Sequence, residues 1–570
     1  MQQLRTVCLT KTHTKTHTKI RPKIRTTTHL IRPGFALLIQ GLMLALILAW
    51  WWQRGRPVDL REPALDAQVL PCVSYAPFRH PEINPFNPVA VVTPAQIEAD
   101  LLILKARTNC IRTYGLGQGL DALPAIAQRL GMRVKLGVWL ARDAAQNWRE
   151  LERGLALARQ FKGTVDLLIV GNEVLLRREL LPGELASYLD YARRHAPVPV
   201  TYADVWEFWQ RHAALAAHVD LVTVHVLPYW EDDPVAVGSA VAHVHAVAAL
   251  MRQHFANKPI WIGETGWPAA GRQRAGAVPG QVEQARFVRE LLHSTGSTDR
   301  TDSTDSAPLD YNLIEGFDQP WKRAFEGAMG GYWGLYDQFG QPRVALIGPV
   351  VEDARWWRGP LGAGVGAALG AAFGAALGAA LAPLTLAGAL LGAIIPVQAL
   401  ALQQWDRTPW EWGTSLLLGA LGAALTVAAA LRLERAGAML RLAILFCAAS
   451  VALILLFDAR YRPFPWWWFA APAASLWAWR AGATAGGTAG GTGCGTAGGT
   501  TWQRPCREEW LLAGILAAGA AAVAVIEGWR NAQALAFCLL QMGLAASVLP
   551  AWRTRASSAS NAAGAHKPAV

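Results

Sequence analysis

Along the chain the hydrophobic positions fall into two patterns. Pro33–Trp52 is one uncharged apolar run, about 30 Å long as a helix, and predicts a membrane anchor. Trp50, Trp51 and Trp52 at its exit suit an interfacial seat better than a cleavage site. From Arg54 to about Arg358, charged residues, short apolar runs and helical patterns mix as in a water-facing domain. Eight runs stand out, starting at Cys72, Cys110, Arg133, Asp166, Val198, Leu221, Pro259 and Tyr311. Helix-length intervals separate most of them, which predicts a parallel (β/α)8 TIM barrel over residues 68–350. An open doubly wound sheet shares this alternation, but no G-x-G-x-x-G follows the first run.

From Gly359 onward the apolar pattern returns and predicts seven more spans, at 361–382, 384–402, 412–432, 439–457, 464–479, 510–527 and 532–549, the fifth being short. With the anchor they make eight. A cytoplasmic amino terminus then places the barrel outside, and puts Arg432, Arg435, Arg441, Arg480, Arg504, Arg507, Arg553, Arg555 and Lys567 inside. Only Arg407, Arg460, Arg462 and Arg530 remain in outside loops, so both termini are expected in the cytoplasm. Gly362, Gly366, Gly370, Gly374 and Gly378 recur every four residues, a stripe for close helix contact. The span centres nearly lack ionisable residues, which disfavours an ion-coupled carrier and leaves an anchor or lipid-side platform. The polar stretch at 294–307 and the Gly/Thr tract at 485–500 read as loops.

Composition agrees: of 570 residues 16% are charged and 52% hydrophobic, with mean hydropathy +0.20, which a purely soluble or disordered chain does not show. The net charge is +12, but residues 1–32 hold eight Lys or Arg and no acid. Such an arm directly before an anchor is a topology signal rather than a nucleic-acid site. His13, His17 and His29 in that arm have no fixed geometry, and neither a metal nor another cofactor is expected. Cys72 and Cys110 are the cysteines of the external domain, near adjacent strands, where a disulfide or two buried thiols would fit equally.

Barrel enzymes gather reacting groups at the carboxyl ends of their strands. Glu173 ends the fourth run in VGNEV and Glu264 the seventh in IGETGWP. Two carboxylates on opposite sides of one rim can flank a glycosidic bond, with the proximity of like charges keeping one protonated. Asn172 stands beside the first to orient a sugar hydroxyl. Tyr75, Arg112, Tyr114, Trp139, Tyr202, Tyr229, Trp230, Trp267 and Trp321 occupy strand ends, where rings and polar groups would bind sugars. Glu315, Asp318 and Lys322 near the eighth run would join Trp321 in an acceptor subsite. His225, after the sixth strand, reads as a substrate hydrogen-bonder or a packed residue, and His243 and His245 as helix surface.

The YAPF at Tyr75–Phe78, IRTYG at Ile111–Gly115, GNE at Gly171–Glu173 and IGETGWP at Ile262–Pro268 resemble glycoside hydrolase family 17, in particular its bacterial membrane-bound β-glucan branch. The resemblance covers residues 68–345. It implies a retaining barrel acting on β-1,3-glucans, with Glu173 as general acid/base and Glu264 as nucleophile. It also implies transfer of the glucosyl chain to a sugar, or its hydrolysis as in an endo-β-1,3-glucanase. The partners implied are a β-glucan, the lipid bilayer of a bacterial inner membrane and envelope glucan-synthesis proteins, with the barrel in the periplasm. Two other classes remain: a non-catalytic glucan-binding envelope protein, which would not need two opposed carboxylates, and a transporter with an external sugar-binding domain.

Overall fold

The computed structural model describes residues 33–548 except 65–67, 81–82, 88, 297–308, 380, 458–460 and 486–504. The basic arm, the carboxyl-terminal tail after 550, Arg460, Arg504, and most of the 294–307 and 485–500 stretches lie outside the described residues. The first residues of the 294–307 stretch are helical instead of loop, because the preceding helix runs on to Gly296.

Eight parallel strands close a barrel in sequence order: β1 (Val73–Ser74), β2 (Cys110–Arg112), β3 (Arg133–Val138), β4 (Val165–Asn172), β5 (Val200–Val205), β6 (Val222–His225), β7 (Ile260–Thr265) and β8 (Tyr311–Leu313). Each overlaps one of the eight apolar runs, with β4 starting one residue before its run and β5 ending one residue past its own. Their aliphatic residues are buried on both faces, as strands wrapped by helices require. After α1 (Pro33–Gly55), the intervening helices are α2 (Pro94–Lys105), α3 (Leu123–Arg129), α4 (Ala144–Gln160), α5 (Pro182–His195), α6 (Trp206–Arg211), α7 (Val237–His254) and α8 (Gln281–Gly296). Two of them start with a side-chain cap: Asp143 accepts from the Gln146 N–H at 3.0 Å, and Thr93 from that of Gln96 at 3.2 Å, with Pro94 in the first turn. Cys72 and Cys110 form a disulfide.

After the short α9 (Arg323–Glu326), seven apolar helices follow: α10 (Arg358–Ala376), α11 (Leu381–Gln404), α12 (Pro409–Ala430), α13 (Glu434–Phe457), α14 (Trp466–Ala485), α15 (Arg507–Glu527) and α16 (Ala532–Ala546). Each overlaps a predicted span. Among the described residues six helices, α1, α10–α13 and α15, are long and apolar enough to cross a membrane, and α16 is a shorter apolar helix. The span expected to be short is the 20-residue α14, which is buried almost completely from Trp467 to Trp479 and touches α1, α11, α12 and α16. It is the centre of the bundle rather than a lipid-facing member.

The glycine stripe works for four of its five members. A Cβ on Gly362, Gly366 or Gly370 would stand 2.2, 2.0 or 2.3 Å from a backbone carbonyl of α11, and one on Gly374 would meet Leu381 at 3.2 Å. Gly388 and Gly392 of α11 return the contact, so the two backbones touch directly. Gly378 does not belong to the stripe. It lies past the end of α10 at φ +60°, where glycine ends the helix in the left-handed conformation.

The α11–α12 and α15–α16 turns of this bundle meet the barrel. Tyr332 donates to the Gln403 carbonyl at 2.6 Å and Arg323 to that of Asp406 at 2.5 Å, both at the α11–α12 turn. Arg272 pairs with Glu527, and the Asn531 amide donates to the Gln273 carbonyl at 3.0 Å, both at the α15–α16 turn. Because Arg272, Gln273, Arg323 and Tyr332 follow β7 and β8, the strand-end rim of the barrel is the face that meets the bundle. On the entry side, Val58 and Val350 pair as an antiparallel bridge, and buried Arg289 donates to the carbonyls of Leu60, Ala345 and Gly348.

Gly366→Ala should lower the thermal unfolding midpoint in detergent, at a cost of about 1–3 kcal/mol for forcing the helices apart. Gly364→Ala, where a Cβ meets nothing within 4 Å, should leave it unchanged or raise it. Equal midpoints for the two variants would dismiss the α10–α11 contact.

Candidate active site

The cleft at the strand-end rim has a volume of about 1200 Å³. Glu173 and Glu264 both face it, and with His225 they present three atoms within 4.8 Å of one another. Glu173 reaches this position because the chain turns sharply as β4 ends. Gly171 adopts φ +86° and Glu173 itself φ +52°, with the Glu173 N–H held by the Ala203 carbonyl at 2.7 Å. A non-glycine residue in the left-handed region is uncommon, and here it turns the carboxylate into the mouth.

Beneath the pair lies Arg112, 0% exposed. Its Nη1 donates to Glu264 Oε1 at 2.5 Å and to the Gly263 carbonyl at 3.0 Å, and its Nη2 donates to Asn172 Oδ1 at 2.5 Å. His225 bridges the carboxylates: Nδ1 is 2.9 Å from Glu173 Oε1 and Nε2 3.6 Å from Glu264 Oε1. It sits beside Glu264 because β6 and β7 pair in that register.

Charge sets the state of Glu264. Burial alone would raise the Glu264 carboxyl, but His225, Arg112 and Lys322 outweigh it and hold the group below its ordinary range. Glu264 is therefore an ionised, buried carboxylate at neutral pH. Glu315 is pushed up to about 7 by burial, with Lys322 at 3.3 Å opposing. Asp204 is pushed up to about 7 by burial and by the charge of Glu173. Glu173, His225 and Glu264 offer three donor atoms that could face a cation, but the Arg112 guanidinium already places positive charge against Glu264.

Of the residues expected to bind sugar, Tyr75, Tyr114, Trp139, Asn172, Trp230 and Trp321 line the cleft. Trp139 is 37% exposed, with the Arg177 guanidinium 4.1 Å from its ring centroid, and Tyr114 is fixed by its hydroxyl donating to Ser74 Oγ at 3.0 Å. Four are not in the wall. Arg112 is the support just described. Tyr202 is buried, its hydroxyl donating to Asp204 and accepting from the Leu175 N–H at 3.0 Å. Tyr229 donates to the Arg272 carbonyl, and Trp267 donates to that of Val278 at 2.9 Å. In each case a buried polar tip has found a partner inside the protein, so the ring serves loop packing. Glu315 and Lys322 join Trp321 at the cleft, whereas Asp318 turns away to Arg343 and the Gly334 N–H. Trp206, Glu207 and Phe208 after β5, and Glu231 and Asp232 after β6, also line the cleft, though they lie beyond the strand ends that sequence position singles out. Their signal was a polar–aromatic cluster directly following a strand.

Residues 72–334 match the family model described as the BtgE/BtgC glycoside hydrolase domain, a little under half of the chain and ending before the helical bundle. A probable beta-glucosidase btgE of Aspergillus oryzae is 26% identical over 255 residues, 43% of this chain and 39% of that protein. A glucan 1,3-beta-glucosidase of Candida albicans is 26% identical over 265 residues, 42% of this chain and 82% of that protein. The chain therefore spans about two fifths of the btgE relatives' length. Among solved structures, a glycoside hydrolase family 17 beta-1,3-glucanosyltransferase from Rhizomucor miehei is 24% identical with a TM-score of 0.41, covering 49% of this chain and 98% of that one.

Arg112→Met would strand the buried Glu264, a loss of about 3–5 kcal/mol at neutral pH. The pH dependence should invert as well. With its carboxyl held low, Glu264 stabilises the wild-type fold above the ordinary carboxyl range, and this stability is lost as pH falls through the depressed value. Without Arg112 the carboxyl rises, so the variant should gain stability relative to wild type as pH falls. Parallel unfolding midpoints across pH 4 to 8, on the order of the carboxyl range, would refute the clamp.

Proposed function

We propose that the chain is a membrane-embedded retaining enzyme acting on β-1,3-glucan, which passes a glucosyl chain through a covalent intermediate to a sugar acceptor or to water. The observation that carries this reading is the spacing of Glu173 and Glu264, whose facing oxygens lie within 4.8 Å across the cleft. Retaining pairs stand about 5–5.5 Å apart, while inverting pairs need roughly 6.5–9.5 Å to admit a water. The names of the matched relatives, a probable beta-glucosidase and a glucan 1,3-beta-glucosidase, support the substrate class.

In this mechanism the ionised Glu264 attacks the anomeric carbon as Glu173 protonates the departing glycosidic oxygen. The carbon–oxygen bond breaks and a glycosyl–Glu264 ester forms. Glu173, now a carboxylate, takes a proton from the acceptor hydroxyl or water, whose oxygen displaces Glu264. His225 holds Glu173 at 2.9 Å and so fixes the distance from which the proton is delivered. Arg112 keeps Glu264 charged and aimed, and Asn172, held by the same guanidinium, faces the sugar. Aromatic rings at Tyr114, Trp139, Trp230 and Trp321 supply stacking surfaces. A cleft of about 1200 Å³ accommodates several sugar rings, as an oligomeric glucan requires.

The protein is placed in a bacterial inner membrane with the barrel in the periplasm and both termini in the cytoplasm. The basic arm before α1 supports this, as do Arg432 and Arg435 at the turn away from the barrel and the Cys72–Cys110 disulfide, which suits an oxidising compartment.

The test is mass-resolved product analysis of the detergent-purified chain with a linear β-1,3-gluco-oligosaccharide. Products longer than the donor are expected, and Glu264→Gln should abolish both these products and any trapped glycosyl-enzyme. Glu173→Gln should lose about 10²–10⁴-fold on natural donors but retain ester formation with an activated leaving group. Only shorter products would assign hydrolysis. A glycosyl-enzyme trapped in the Glu264 variant would overturn the assignment of the nucleophile.

A further inference from the structure

The helical bundle reaches into the same cleft. Tyr461, between α13 and α14, lines it although it belongs to the membrane block. Its ring meets that of Trp230 edge-on, with centroids 6.0 Å apart at 67°, and the residue is 37% exposed. Its backbone is clasped from both sides. From the bundle, Arg407 Nη1 donates to the Tyr461 carbonyl at 3.2 Å, and Arg407 is in turn held by Glu411, which Arg462 approaches at 3.5 Å. From the barrel, Gly327 comes so near that a Cβ there would lie 2.5 Å from the same oxygen. Trp230 is equally fixed, with the Arg274 guanidinium 5.1 Å from its ring centroid and Arg274 donating to the Tyr229 carbonyl at 2.6 Å. Two rings from separate parts of the chain thus stand side by side in one wall.

We infer that Trp230 and Tyr461 form a sugar-binding subsite shared between the barrel and the membrane block, so that glucan chain length is sensed by a residue outside the catalytic domain. The inference rests on the glucan-active reading above. Its chemistry is the apolar face of a pyranose ring against aromatic surface, in a wall that also carries Glu231 and Asp232. Because Arg323, Tyr332 and Arg272 dock the rim onto the neighbouring loops, this wall lies where the barrel meets the bundle, and a glucan occupying it would run along that junction.

The experiment compares kcat/KM of the full-length protein in detergent for short and long β-1,3-gluco-oligosaccharides. Tyr461→Ala should lower the value for long chains roughly tenfold, the loss of an aromatic contact of about 1.4 kcal/mol, chiefly through KM. The loss on the shortest donor should be smaller, so the long-to-short ratio falls, and Tyr461→Phe should recover that ratio. An unchanged ratio, or equal losses on both substrates, would overturn the inference while leaving the glucan-active reading intact. A wild-type protein inactive on every β-1,3-glucan would overturn that reading and this inference with it.

Discussion

The Arg112 guanidinium ends β2 and reaches across the barrel floor to Asn172 at the end of β4, His225 at the end of β6, and Gly263 with Glu264 on β7. A buried charge is costly unless it is paired and hydrogen-bonded, and here one planar group answers an acid, an amide and a carbonyl at once. The positions of these side chains are consequently not independent. Glu264 stays ionised because Arg112 and His225 are beside it, and His225 is held in turn by Glu173. The distance between the two carboxylates is thereby set by residues from several strands rather than by either loop.

A second constraint acts from outside the barrel. The rim that carries the cleft is also the rim that rests on the bundle, through Arg272 with Glu527, Gln273 with Asn531, and Arg323 and Tyr332 with the α11–α12 turn. These are polar contacts between long loops and short helix turns, and they fix the loops after β7 and β8. Loops at a barrel mouth are ordinarily its most mobile part. Docking them against a membrane block gives the site a rigid wall where a soluble barrel would have a free edge.

Much of this was legible in the chain itself. The eight strands and the helical spans follow from periodicity and length, which are local properties. Glu173 and Glu264 are legible because each sits at the carboxyl end of its strand. The same rule overreached with aromatic residues. Tyr202 lies inside β5, and Tyr229 and Trp267 follow strands, but their polar tips are satisfied by Asp204, the Arg272 carbonyl and the Val278 carbonyl, and no sequence pattern tells a ring turned to the cleft from one turned into the protein. Gly378 kept the four-residue spacing of its stripe but fell beyond the helix, since spacing does not reveal where α10 ends.

The sequence by itself determined the barrel, the order of its strands, the two acids and the apolar helices, because each depends on residues near one another in the chain. Only the tertiary structure decided that His225 stands between the acids, that Arg112 lies under them instead of in the wall, and that Tyr461 meets Trp230. Those arrangements join residues far apart in sequence, and their geometry comes from strand register and from which loops the bundle holds against the rim.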